Sequence, residues 1–150
     1  MSREIKFRGI PLRDADDIYE IVDYDGTFVY GYYIKNGDGA LIVGDQTEEL
    51  DDVGLSRWFE DVVPETVGQY TGLKDANGKD IYKGDIVHVV TEDGYVRTGK
   101  VIFEKGCYWV DNGMDRYPVS RIGFKRDTLE VLGNVHVNPE IIDFYDMKQP

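Results

Sequence analysis

Turn dipeptides set the strongest limit on what this chain can fold into. Asp25-Gly26, Asn36-Gly37, Asp93-Gly94, Lys105-Gly106 and Asn112-Gly113 interrupt short runs of β-branched and aromatic residues. Asn, Asp and Gly reach the positive backbone φ that a two-residue hairpin turn demands, and that geometry matches the twist of paired strands. Turns of this kind at roughly ten-residue spacing leave little room for helices and favour a small barrel or sandwich. Composition agrees: eleven Tyr, six Phe and two Trp accompany seventeen Gly and only five Pro.

The strands follow from what lies between the turns. Residues 4–8 (EIKFR) alternate polar and apolar, as a half-buried strand does. Thr27 to Ile34 and Ala40 to Val43 flank the Asn36–Gly39 turn and read as a hairpin. Residues 57–63 (RWFEDVV) read as a strand that Pro64 ends. Tyr82–Val90, Val96–Phe103 and Cys107–Asp111 make three more, and Thr128–Val137 a closing strand interrupted at Gly133. Residues 14–23 fit neither period cleanly. Asn138 and Pro139 are placed to start a short C-terminal helix over 139–146. The expected fold class is mainly β, at most α+β.

Charge is distributed unevenly. Of the net −12, the stretch Asp14–Glu65 alone carries 15 acidic against 2 basic residues, or −13. Such a segment repels a phosphate backbone and mainly promotes solubility. No apolar run approaches the ~20 residues of a bilayer span, and the charged start lacks the apolar core of a signal peptide. Cys107 is the only cysteine, so no intrachain disulfide is expected. The expected setting is a reducing cytoplasm, with no membrane.

Candidate chemistry is sparse. Asp75, Asn77, Gly78 and Asp80 loosely evoke a calcium loop, but Gly78 falls at position four and Ile86 at twelve, where Gly at six and Glu at twelve are needed. His88, His136 and Cys107 fall on three separate predicted strands, with no metal-ligand spacing and no nucleophile motif. Neither phosphate-loop pattern occurs. No catalytic, cofactor-binding or metal residue is therefore nominated, and no cofactor is expected. The acidic run Asp45, Glu48, Glu49, Asp51 and Asp52 is the candidate partner-binding segment. Basic and aromatic residues interleave from Tyr95 to Tyr117, where Val96, Val101, Phe103 and Trp109 are expected in the core.

Four blocks carry a family resemblance. They are residues 3–9 (REIKFRG), 63–68 (VPETVG), 69–75 with 77–87 (QYTGLKD, NGKDIYKGDIV), and 130–136 with 138–140 (EVLGNVH, NPE). In this order they resemble the YopX family of small phage and prophage proteins across nearly the whole chain. The resemblance implies a single domain: an N-terminal β region (1–66, with the acidic segment) packed on a C-terminal SH3-like barrel with a helical turn (67–150). It carries no catalytic residues over. The favoured role is an accessory protein that binds a host or phage protein. A nucleic-acid role, by the barrel face or by acidic mimicry of DNA, is the alternative, and a metal-assisted hydrolase is the third.

Overall fold

The computed structural model describes residues 4–44, 48–49, 55–56, 58–122 and 126–142. It divides into two compact units, Met1–Gln69 and Tyr70–Pro150. Both are antiparallel β.

The first unit contains β1 (Phe7–Gly9), β2 (Val29–Asn36), β3 (Gly39–Val43), β4 (Glu48–Glu49), β5 (Leu55–Ser56), β6 (Phe59–Val62) and the start of β7 (Gly68–Lys74). β2 and β3 form the predicted hairpin, with Asn36 opposite Gly39. β3 then pairs with β6, and β1 lies between β2 and the first residues of β7. This register turns Ala40, Ile42 and Val62 inward onto Val22, Val29 and Trp58. Gly31 lets β2 and β3 approach, since a β-carbon there would stand 2.2 Å from the Val43 carbonyl oxygen. Glu60 shares the inner face although it is charged. Arg13 makes this tolerable by donating from Nη2 to Oε1 at 2.6 Å and from Nε to Oε2 at 3.1 Å, a two-pronged pairing. The undecided segment 14–23 contains one 3₁₀ turn, Ala15–Asp17.

The second unit adds β8 (Asp80–Tyr82), β9 (Asp85–Val90), β10 (Val96–Glu104), β11 (Cys107–Asp111), β12 (Arg116–Pro118) and β13 (Thr128–Asn134). Five strands form one sheet in the order β12-β11-β10-β9-β13, and the later part of β7 pairs with β8. Val87, Val89, Val101, Val110 and Leu129 form its core with Ile81, Tyr117 and Val119. The β10–β11 turn is Lys105-Gly106, both at positive φ (54° and 79°), as a tight hairpin requires.

Of the four interleaved residues expected in this core, only Val101 lies there. Val96 and Trp109 point to the face opposite the Val101–Val110 pair, and Val96 stays 42% exposed. Phe103 has the correct parity but lies at the end of β10, beyond the covered part of the sheet, and rests on Tyr108 at 4.9 Å. The closing strand also stops early. The Asn134 side-chain oxygen accepts from the amides of His136 (3.0 Å) and Val137 (2.9 Å), so His136 lies in a turn rather than a strand. Residues 140–142 are helical. Pro139 lies in a turn, and residues 143–146 of the expected helix lie outside the described residues.

The family-like signature is architectural. Buried Asp75 accepts from the amides of Asn77 and Lys79 through Oδ1 and from Val131 of β13 through Oδ2, each at 2.9 Å. The Ala76 amide reaches the Leu129 carbonyl at 2.9 Å. The 75–79 turn is thereby fastened along β13, which would otherwise present an open sheet edge. Asp75→Ala strands three amides at once, and we expect it to lower unfolding stability by about 3 kcal/mol in urea denaturation. A loss below about 1 kcal/mol would show that the edge holds without this carboxylate.

Candidate functional site

Antiparallel order gathers chemistry at one end of the five-stranded sheet. β9 pairs with β13 so that Val90 faces Thr128, and β10 returns with Val96 opposite Val90. The β9–β10 turn, the β11–β12 turn and the start of β13 therefore share an end. There a cleft of about 680 Å³ is lined by Glu92, Tyr95, Asp115, Tyr117, Arg121 and Asp127, among others.

Two Tyr–Asp–Arg sets occur at this cleft. In the first, the Tyr95 hydroxyl donates to Asp115 Oδ2 at 2.5 Å, and Arg97 Nη2 meets the same oxygen at 2.5 Å. The Arg97 guanidinium also lies 4.0 Å over the Tyr95 ring. In the second, the Tyr117 hydroxyl donates to Asp127 Oδ2 at 2.9 Å, and the Glu92 amide donates to Oδ1 at 3.0 Å. Arg121 Nη2 stands 3.8 Å from Oδ2 and its guanidinium 5.8 Å from the Tyr117 ring. The Asp127 side chain is only 2% exposed. The Glu92 amide, with the Tyr117 hydroxyl and the Arg121 charge, holds its carboxyl below the usual range against the effect of burial. Burial, then the bond to Asp127 and its charge, push the Tyr117 phenol well above its ordinary value.

The first unit presents a different surface. Cross-strand partners share a face, so the rows Tyr32–Val43–Phe59 and Ile34–Leu41–Asp61 lie together on the outer side of β2, β3 and β6. Tyr32, Ile34 and Phe59 are 48%, 49% and 61% exposed. A groove of about 360 Å³, lined by Glu4, Ile5, Lys6, Asp23, Tyr30, Gly31 and Tyr32, adjoins it through Tyr32. Beside it, burial raises the Asp25 carboxyl, but the Tyr30 hydroxyl, the amides of Phe28 and Thr27 and the Arg8 charge outweigh that and hold it low.

Asp45, Asp51 and Asp52 of the acidic candidate segment lie outside the described residues. Glu48 and Glu49 are described only as strand β4, paired with β5. His88 bonds through Nδ1 to Thr98 at 2.9 Å, and Cys107 is exposed. Among the described residues, no three His, Cys, Asp or Glu side chains gather closely enough to share a metal. Of the interleaved basic residues, Arg97 is paired with Asp115, and Arg116 with Glu104 at 2.8 Å. Sequence reading missed the Tyr117–Asp127 corner and the outer sheet face. The first leaves no local pattern. The second was signalled by residues 27–34, which are apolar at both parities instead of alternating.

An antiparallel two-unit β protein with an exposed apolar sheet face and a polar, tyrosine-walled cleft is the class these features define. The chain belongs to the YopX protein family, whose match spans residues 17–143. Among solved structures it is similar to protein EF1440 from Enterococcus faecalis, at 18% identity and a TM-score of 0.48, covering 94% of this chain and 99% of that one. No curated protein matches it. No described helix is long and apolar enough to cross a membrane.

The titration directions predict behaviour at both pH extremes. Asp127 and Asp25 titrate low in the fold, so their contribution is complete above the unfolded carboxyl value of about 4 and is lost as pH falls through the lower folded values. Tyr117 titrates high, so its contribution holds below the unfolded phenol value of about 10 and is lost as pH rises through the folded one. Denaturation across pH should show a flatter acid limb for Asp127→Asn than for the wild type. Ultraviolet titration should show one late-ionising tyrosine that Tyr117→Phe removes. An unchanged alkaline profile in Tyr117→Phe would refute the assignment.

Proposed function

We propose that the chain is a non-catalytic accessory module, phage- or prophage-encoded, that binds a host or viral protein in the bacterial cytoplasm through the outer face of its N-terminal sheet. The observation that carries this reading is the exposure of Tyr32, Ile34 and Phe59 on one face, with Leu41 and Val43 between them. Contiguous exposed apolar side chains on a folded surface are characteristic of sites that another macromolecule covers, and aromatic side chains commonly anchor such contacts. The partner's chemistry follows from charge: a surface set in a segment of net −13 favours apolar groups ringed by Lys and Arg. We read the five-stranded C-terminal unit, with its single core, as the SH3-like scaffold that the family resemblance implies. Pairing of Arg97 and Arg116 with carboxylates lends less support to direct nucleic-acid binding.

Affinity capture from host lysate, with and without nuclease, tests this. The wild type should retain a stoichiometric protein after nuclease treatment, and Tyr32→Ser with Phe59→Ser should lose it. Truncating one central aromatic anchor costs about 2 kcal/mol, or roughly thirtyfold in affinity. Capture that disappears with nuclease would transfer the reading to nucleic acid. Undiminished capture by a folded double variant would remove this face from consideration.

A further inference from the structure

We propose that the Tyr117–Asp127 corner of the C-terminal cleft is a receptor for a guanidinium group, occupied in the free protein by the chain's own Arg121. The neighbouring set shows full occupancy. Arg97 sits at 2.5 Å from Asp115 and 4.0 Å over Tyr95, within hydrogen-bond and cation–π range. Arg121 engages the equivalent pair from 3.8 Å and 5.8 Å, too far for a hydrogen bond and near the limit of ring attraction. It also remains 53% exposed, so water competes for it.

The carboxylate below is held ready for a closer cation. Asp127 is fixed by the Glu92 amide and the Tyr117 hydroxyl, and these donors offset part of the cost of burying its charge. Arg121 supplies the rest loosely. A guanidinium arriving from solvent that reached hydrogen-bond distance would replace a weak contact with a strong one. With Asp115 tied to Arg97 and Arg116 to Glu104, the described lining leaves Glu92, Asp93 and Asp127 against Arg121. The cleft's volume falls within the range of small-ligand sites. A planar guanidinium suits a carboxylate beside a tyrosine better than a compact ammonium does. The corner is independent of the apolar sheet face and shares no residue with it.

The test titrates the full chain with agmatine, with a capped Gly-Arg-Gly peptide and with its lysine counterpart, following the Glu92 amide by NMR. That amide donates to Asp127 and reports on it without altering it. Both guanidinium probes should shift it, and Arg121→Gln should bind them about tenfold more tightly than the wild type, since a self-occupant has been removed. Equal affinity for agmatine and peptide would assign a free guanidino compound as the ligand. Tighter peptide binding would assign an arginine of a protein segment. No titratable shift in Arg121→Gln, or an equal response to the lysine peptide, would overturn the proposal. So would unchanged binding by Arg121→Gln carrying Asp127→Asn, once a cooperative melt shows that it is folded.

Discussion

Buried carboxylates answered by backbone amides are the interaction on which the second unit depends. A carboxylate withdrawn from water is costly unless its oxygens are met by donors. Asp75 meets three amides, and Asp127 meets the Glu92 amide and the Tyr117 hydroxyl. Asp85 accepts from the Tyr82 amide at 2.7 Å, where β8 turns into β9. Each acid sits at a turn and satisfies donors that the strand ladders leave over. The turns are thereby tied to the strands they join, and the outer strand β13 is fastened to the 75–79 turn.

The first unit handles buried charge with a side-chain partner. Glu60 lies among Ile42, Val62 and Trp58 on a strand whose other face carries Phe59 and Asp61. Removing Arg13 would leave that charge uncompensated, whereas a volume-matched apolar pair would tolerate the change far better. The Arg13–Glu60 fork also ties the segment before the 3₁₀ turn to the edge of the sheet, as the Leu12 amide does to the Asp61 carbonyl at 2.9 Å. That edge is covered, while the outer face beside it stays open.

What the sequence reveals depends on how local the determinant is. The β2–β3 and β10–β11 hairpins were legible because turn residues and strand residues are adjacent and point to the same geometry. Core membership was read less well: Val96 lies on the opposite face from Val101, and Phe103 shares the face of Val101 but stays exposed at the end of its strand. The Arg13–Glu60 fork spans 47 residues and the Asp75–Val131 bond 56, with no motif marking either. Tyr117 and Asp127 are ten apart but meet only because β13 returns to the end where β12 begins. The mainly β class and the signature blocks were thus readable, and the cleft was not.

Both candidate surfaces select for cations, by different physics. The excess of −13 in residues 14–65 is a diffuse field, effective over about a Debye length of 8–10 Å and weakened by salt. It biases which macromolecules approach and says little about geometry. The Tyr117–Asp127 corner acts over hydrogen-bond distance, where burial shields the carboxylate and salt matters less. A chain carrying only the first would gather any basic protein. One carrying only the second would hold a single side chain with little to bring it close. Discrimination between arginine and lysine must therefore arise at the corner, where the shape of the cation and its hydrogen-bond geometry count.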